Sequence, residues 1–246
     1  MKRKVLFVFF FTIPLVGATA ALYAGYEKTV RSETDNSRVV KCPGCPHEIG
    51  DPIDSLNGVT VYYNGHVPNV SGRNLTTDNY NLGLKYQCVE FVKRYYYEFY
   101  GHKMPDPWGH AVDFFDPSLE DGTRNARRDL IQYRNPSQSQ PKVGDLIVFN
   151  GTIAGGYGHV AIISDVKDKE IEIIQQNPGP YANSRATFPL KYQDKTWQTD
   201  STILGWLRKE ILNEPPSRVK GITEMSFSAH QVSAGTAKAD RQGDGG

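Results

Sequence analysis

The sequence contains few cysteines, with only Cys42, Cys45 and Cys88 among 246 residues. Cys42 and Cys45 form a close pair in the segment Cys42-Pro43-Gly44-Cys45. They lack both the second pair of a zinc site and the strand-then-helix pattern of a redox motif. We predict a small structural disulfide between them, with a redox-active pair as the alternative. This pairing leaves Cys88 as a free thiol, which in an exported protein suggests a reactive cysteine.

Charge of either sign is not in excess, since 28 Lys and Arg residues face 27 Asp and Glu residues. Nucleic-acid binding usually requires a basic excess, so no nucleic-acid partner is expected. No long run of like charge suggests a polyanionic partner, and no internal repeat is present. Because no cluster of ligands has the spacing of a metal site, we predict neither a metal nor an organic cofactor. We expect a monomer.

A long apolar run occurs at the N-terminus. The basic start Met1–Lys4 precedes apolar residues 5–24, which Pro14 interrupts and which include the small residues Ala18–Ala21. This pattern is typical of a secretory signal peptide cut between Ala20 and Ala24. A retained membrane anchor is the alternative, since ~20 apolar residues approach the length of a span. Either way we expect an exported protein (periplasmic, extracellular or anchored facing outside the cytosol) that meets the membrane only through this segment.

The rest of the chain divides into three parts by composition. Residues 25–48 form a polar linker with the cysteine pair, residues 49–212 form one domain, and residues 213–246 form a disordered tail poor in apolar side chains. Within the domain, a 3.6-residue apolar period predicts a helix from Cys88 to Tyr100, stopped by Gly101. Apolar runs predict strands at 59–63, 146–149, 159–166, 171–176 and 202–207. A helix followed by an antiparallel sheet indicates the α+β class.

Cys88 stands at the predicted start of that helix. The unpaired backbone N–H groups and partial positive charge at a helix start favour the thiolate. The same N–H groups can stabilise the oxyanion that forms when an amide carbonyl is attacked. The alternative is a buried, inert cysteine, because Cys88 belongs to the apolar stripe of the helix.

The chain contains six histidines, and one of them, His159, is the first residue of a predicted apolar strand. It follows the glycine-rich segment 155–158, which permits close backbone approach. A histidine at such a position can serve as a general base and then as an acid, and the alternative is a hydrogen-bonded structural histidine. Trp108 could line a cleft beside this pair or pack in the core.

A third group should orient the imidazole. A hairpin turn at 167–169 places residue 177 opposite His159, so that Gln175 and Asn177 share its face. An amide oxygen can accept the imidazole N–H, but it brings no charge to stabilise an imidazolium. Both residues could equally be ordinary polar residues at a strand end, and a slip of one residue would put Gln176 in this place.

Taken together, these residues resemble a known family. The resemblance rests on the ordered segments Gly83–Phe91, Val143–Ile147, Gly158–Ile162, Gln175–Asn177 and Thr202–Trp206. They are similar to the CHAP domain, the cysteine/histidine-dependent amidohydrolase/peptidase family. Within it, the amidase domain of glutathionylspermidine synthetase/amidase is most similar. The resemblance covers about residues 50–210 and implies a papain-like α+β fold in which a helix carrying the cysteine packs on an antiparallel sheet.

The resemblance also implies roles for individual residues. Cys88 would be the nucleophile and His159 the base, while Gln175 stands where the family commonly has an acidic residue. Asn177 stands at the position of an asparagine of the family. Gln87 would help to polarise the oxyanion, and Lys93 or Arg94 would contact the substrate.

The function implied is an exported cysteine amidohydrolase or peptidase that cleaves peptidoglycan peptides through a thioester. A glutathionylspermidine-type amidase and a non-catalytic binding module with the same fold are the alternatives. The apolar N-terminal segment and the missing synthetase half depart from the glutathionylspermidine enzymes, and Gln175 motivates the binding module.

Overall fold

The computed structural model describes residue 40 and residues 42–152 and 154–210. The predicted signal or anchor segment (1–24), most of the predicted linker and the predicted tail (213–246) lie outside the described residues. Within the described ranges, no helix is both long enough and apolar enough to cross a bilayer.

The centre of the domain is a seven-stranded sheet in which all neighbouring strands are antiparallel. Thirteen strands are present in the described ranges: β1 (Pro52–Leu56), β2 (Val59–Tyr62), β3 (Arg73–Leu75), β4 (Asn81–Leu84), β5 (Thr123–Asn125), β6 (Leu130–Arg134), β7 (Leu146–Phe149), β8 (His159–Val166), β9 (Glu170–Ile174), β10 (Arg185–Pro189), β11 (Lys191–Gln193), β12 (Thr196–Gln198) and β13 (Ile203–Arg208). The large sheet has the order β10-β9-β8-β7-β13-β6-β5, and β1–β2, β3–β4 and β11–β12 form separate hairpins. The predicted α+β class is confirmed.

One α-helix of 13 residues, α1 (Cys88–Tyr100), packs on this sheet. Its apolar stripe of Phe91, Val92, Tyr95 and Tyr96 is buried in a cluster with side chains of β7, β8 and β13. Each such side chain removed from water contributes about 2 kcal/mol. The helix ends at Gly101, whose φ of 61° is left-handed, as the sequence predicts. In the described part of the chain, short 3-10 turns lie at Val112–Phe114 and Ala154–Gly156.

The opposite face of the sheet is also covered. Ile147, Ile163 and Ile173 pack there with Leu190, and the partly buried Trp197 closes the cluster. Because both faces are buried, β7 and the first half of β8 are continuous apolar runs rather than alternating ones. This explains why both strands are predicted with their observed bounds.

The register of the β8–β9 hairpin determines what faces His159. Ile162 pairs with Ile174, and an irregularity lies between Ile163 and Asp165. His159 lies three residues before Ile162, and Asn177 lies three residues after Ile174. Extending this register therefore brings His159 level with Asn177, as the predicted turn position implies. Strand β9 ends at Ile174 rather than at residue 176, and Asn177 adopts a left-handed φ of 60°.

Strand β4 approaches the helix closely at Gly83. A Cβ atom there would lie 3.1 Å from Cα and 3.2 Å from N of Glu90, and Gly83 has a φ of 131°. We expect Gly83→Ala to lower the free energy of unfolding by about 3 kcal/mol, measured by urea denaturation, because backbone strain and a backbone clash add. Gly58→Ala is the matched control, since its φ is 82° and nothing lies within 4 Å of the added Cβ. Equal losses in the two variants would show that the close approach does not contribute.

Candidate active site

A cavity of about 720 Å³ lies where the start of α1 meets the first residues of β8. Cys88 and His159 both line it, together with Gln87 and Asn177. Arg73 and Trp108 also line it. The structure thus brings the cysteine and the histidine of the sequence prediction to one concave surface, although 71 positions separate them in the chain.

Cys88 is the first residue of α1 and is partly buried. Gln87, the N-cap residue, is extended and makes no side-chain capping bond, which leaves backbone N–H groups of the first turn available. Burial raises the pKa of the Cys88 thiol to about 11, while the backbone N–H groups of Val160, Val89 and Cys88 itself act in the opposite direction. These N–H groups can stabilise negative charge on the sulfur or on the oxygen of a carbonyl group that the sulfur attacks.

His159 is held in one orientation by Gln175. Nε2 of His159 lies 3.0 Å from Oε1 of Gln175, and Nε2 of Gln175 donates to the Asn183 carbonyl at 3.1 Å. Because the amide nitrogen is used at Asn183, its oxygen faces the ring and accepts a proton from Nε2 of His159. The ring therefore carries its proton on Nε2, and Nδ1 is left as the basic nitrogen.

The thiol and the imidazole are both neutral at pH 7. Burial lowers the pKa of His159 to about 4, with the Gln175 hydrogen bond acting in the opposite direction. The backbone N–H of Val160, the residue that follows His159, favours the charged form of the sulfur. Among the hydrogen bonds of the described residues, none joins Sγ of Cys88 to the His159 ring. Such a pair can transfer a proton as the sulfur attacks, rather than beforehand.

Asn177 and Gln87 form a second pair at the edge of the cavity. Asn177 Nδ2 donates to Oε1 of Gln87 at 2.8 Å and to the Val67 carbonyl at 3.0 Å. Nε2 of Gln87 donates to the carbonyls of Asn69 at 2.7 Å and Val67 at 3.0 Å. Both N–H groups of the Gln87 side chain are thus bonded within the protein, and neither is left for the oxyanion contact that the resemblance implies. Oδ1 of Asn177 is buried and has no partner among the described residues.

Lys93 and Arg94 do not line the cavity, which corrects the expectation that one of them contacts substrate. Lys93 is fully buried, and its ammonium donates to the backbone carbonyls of Asn81 and, at 2.9 Å, Pro107. Arg94 forms a buried ion pair of 2.7 Å with Glu90. Five and six residues beyond Cys88, these positions lie more than one turn along the helix and point into the fold.

Gln176 does not orient His159, as it would in a slipped register, and has instead a structural role that the sequence analysis did not predict. Its side chain is fully buried and donates to the Gln87 carbonyl at 3.0 Å and to Oε2 of Glu90 at 2.7 Å. Its Oε1 accepts the Tyr62 backbone N–H at 2.8 Å. Gln176 thus joins the end of β9 to the start of α1. The alternation of side chains along a strand could have indicated this, because Gln175 and Gln176 must face opposite sides.

The other candidate positions lie as follows. Cys42 and Cys45 are joined by a disulfide with Cα atoms 5.5 Å apart. Trp108 lies on the cavity wall with 59% of its surface exposed, which fits the cleft alternative rather than the core. Within the described ranges, no group of three or more His, Cys, Asp and Glu side chains could hold a metal ion.

Comparison with known proteins identifies relatives of this chain. Residues 78–177 match the family described as the CHAP domain. It is 28% identical over 160 residues to trypanothione synthetase from Crithidia fasciculata, covering 61% of this chain and 24% of that protein. It is 31% identical over 148 residues to the bifunctional glutathionylspermidine synthetase/amidase of Escherichia coli, covering 55% and 23% respectively. The chain thus spans about a quarter of the length of these curated relatives.

Among solved structures, the crystal structure of the wild-type endolysin LysIME-EF1 is similar, with a TM-score of 0.32 and 21% identity. The match covers 56% of this chain and 58% of that one. The predicted resemblance to the CHAP domain is confirmed by the match over residues 78–177 and by the synthetase/amidase relatives.

The neutral thiol of Cys88 determines its expected alkylation. With a pKa of about 11, the thiolate is rare at pH 7, so we expect iodoacetamide to alkylate Cys88 at least about tenfold more slowly than it alkylates glutathione. The rate should rise about tenfold per pH unit between pH 7 and 10. Mass spectrometry measures the modification of protein in which the Cys42–Cys45 disulfide is intact. The Cys88→Ala variant is the control. A rate that stays constant from pH 5 to 8 would instead indicate a preformed ion pair.

Proposed function

We propose that this protein is a thiol amidohydrolase whose nucleophile is Cys88 and whose general base is His159. The observation that carries the proposal is the shared cavity in which Cys88 begins a helix and Gln175 fixes the tautomer of His159. The match to the CHAP domain supports hydrolysis of amide bonds. A non-catalytic module of this fold would not need an imidazole oriented in this way.

The reaction follows from the positions of the protons. Nδ1 of His159 removes the thiol proton as Sγ of Cys88 bonds to the amide carbonyl carbon. Backbone N–H groups at the start of α1 stabilise the resulting oxyanion. The C–N bond then breaks, and His159 gives its proton to the leaving amine. Water attacks the thioester, His159 removes a proton from that water, and a carboxylic acid and the free thiol are released.

Gln175 sets a limit on this chemistry. Its amide oxygen orients the imidazole, but it carries no charge that would stabilise the imidazolium formed during attack. Its position is otherwise well determined, because the Asn183 carbonyl accepts its amide N–H. We therefore propose that hydrolysis depends on transient proton transfer, with stabilisation coming mainly from the backbone N–H groups.

We propose peptidoglycan peptides as the substrate and a location outside the cytosol. The basic and apolar N-terminal segment supports export. A second candidate is a conjugate of glutathione with a polyamine, because two relatives are named for trypanothione and glutathionylspermidine synthesis, one of them also as an amidase. Both candidates contain an amide bond and a carboxylate.

The direct test measures new amino groups released from purified peptidoglycan, and spermidine released from glutathionylspermidine. We expect one of the two to be hydrolysed by the wild-type protein, and Cys88→Ala to lower kcat at least about 1,000-fold. Thr152→Ala changes a residue of the exposed loop before His159 and should keep the wild-type activity, so it is the control for expression and purification. If wild type and Cys88→Ala release the same small amount from both substrates, the protein is a binding module.

Gln175→Glu tests the role of the orienting amide. A carboxylate next to Nε2 favours the imidazolium, so it raises the pKa of His159 from about 4. The base must be unprotonated, and the acid limb of the profile of kcat/KM against pH should therefore move upward by at least about one unit. Gln193→Glu adds the same charge on the exposed strand β11 and should leave the limb in place. An unshifted limb in Gln175→Glu would mean that His159 is not the base.

A further inference from the structure

Arg73 is an exposed cation on the cavity wall that the proposed reaction does not use. It lies on β3, opposite Leu84 of β4, four residues before Cys88. Its guanidinium stacks over the Trp108 ring at 5.0 Å from the centroid, and Nη1 donates to Oδ1 of Asn81 at 3.1 Å. These two contacts hold the planar group in place. They leave most of its five N–H donors without a protein partner in the described part of the chain.

Asn81 supplies a second donor at the same place. The residue lines the cavity and is only 7% exposed, yet its Nδ2 has no hydrogen-bond partner among the described residues. The amide cannot be turned over, because its oxygen accepts from Arg73. A buried N–H group without a partner costs about 1–3 kcal/mol, which a ligand acceptor would recover.

The surrounding charge favours an anion. Behind the wall, the buried cation Arg128 donates to the Trp108 carbonyl, and Lys93, which donates to the Pro107 carbonyl, is only partly protonated at pH 7. Burial, together with the charges of Arg128 and Arg73, lowers the pKa of Lys93 to about 7.

Two acidic side chains on this loop, Asp106 and Asp113, carry negative charge near these cations, and both already have partners within the protein. Asp106 pairs with Arg127 at 2.7 Å, and Asp113 accepts the His110 backbone N–H at 2.7 Å. The three guanidinium groups of Arg73, Arg127 and Arg128 nevertheless outnumber the carboxylates of Asp106 and Asp113 around this part of the cavity.

We propose that Arg73 and Asn81 form a carboxylate-binding subsite in the same cavity as Cys88. The fork of the guanidinium and the unpartnered amide N–H match the two oxygens of a carboxylate. The claim that this subsite selects the substrate rests on the proposed hydrolase function. The claim that the subsite binds an anion does not depend on that function. A stem peptide and a glutathionyl group both present such a carboxylate beside an amide bond.

The first experiment needs no turnover. Iodoacetate and iodoacetamide alkylate the same thiol and differ in one carboxylate, so the ratio of their rates at Cys88 reports on nearby positive charge. At pH 9 and low ionic strength, Arg73→Gln should lower the ratio of the iodoacetate rate to the iodoacetamide rate at least about threefold. An unchanged iodoacetamide rate shows that the fold and the thiol are intact.

Two matched variants make this test specific. Arg124→Gln removes the same charge from the exposed strand β5 and should keep the wild-type ratio, because this residue does not line the cavity. Arg73→Lys should also keep it, since the charge remains. A ratio that is unchanged in Arg73→Gln, or that falls equally in Arg124→Gln, would overturn the subsite.

The second experiment uses whichever substrate is hydrolysed and compares its carboxylate form with its carboxamide form. Arg73→Gln should raise KM at least about tenfold for the carboxylate and less than twofold for the carboxamide, with kcat little changed. Equal effects on both forms would refute carboxylate recognition. Failure of the wild-type protein to hydrolyse either candidate would refute the proposed function alone, because the alkylation ratio still decides the subsite.

Discussion

The end of strand β9 determines the geometry on which the site depends. Two consecutive glutamines point to opposite sides of the chain there, as neighbours in extended backbone must. Gln175 accepts the ring N–H of His159, and Gln176 donates to the Gln87 carbonyl and to Glu90 at the start of α1. One short segment therefore orients the base and also anchors the helix that presents the thiol. Because Gln176 is fully buried and its bonds are saturated, a slip of β9 would break both arrangements at once.

Burial controls the charge of the site more than any ion pair does. It raises the pKa of Cys88 and lowers that of His159, so both effects favour the neutral forms. The opposing influence comes from backbone N–H groups around the sulfur. Their dipoles are fixed by α1 and β8 and need no reorganisation when negative charge appears. An enzyme built in this way would depend on preorganised backbone for stabilisation, which is consistent with an orienting residue that is an uncharged amide.

Local patterns predicted the elements that carry the dyad, since the apolar period of α1, its glycine stop and the continuous apolar run of β8 are local signals. The turn at 167–169 was enough to place Gln175 beside His159. Lys93 and Arg94 were misjudged because a spacing taken from relatives does not say which way a helical side chain points. Arg73 and Asn81 carried no local signal, because they come together only through the short β3–β4 hairpin and the loop of Trp108.

Two residues of the cavity wall complement each other chemically. Oδ1 of Asn177 is a buried acceptor and Nδ2 of Asn81, beside the Arg73 cation, is a buried donor, and neither has a partner among the described residues. Leaving both unsatisfied lowers stability, and a bound amide that offers an N–H to one and a carboxylate to the other would remove both penalties. The proposed substrates, peptidoglycan peptides and glutathione conjugates, both contain an amide N–H and an acidic group, so the proposed subsite suits either of them without a change in the Cys88–His159 pair.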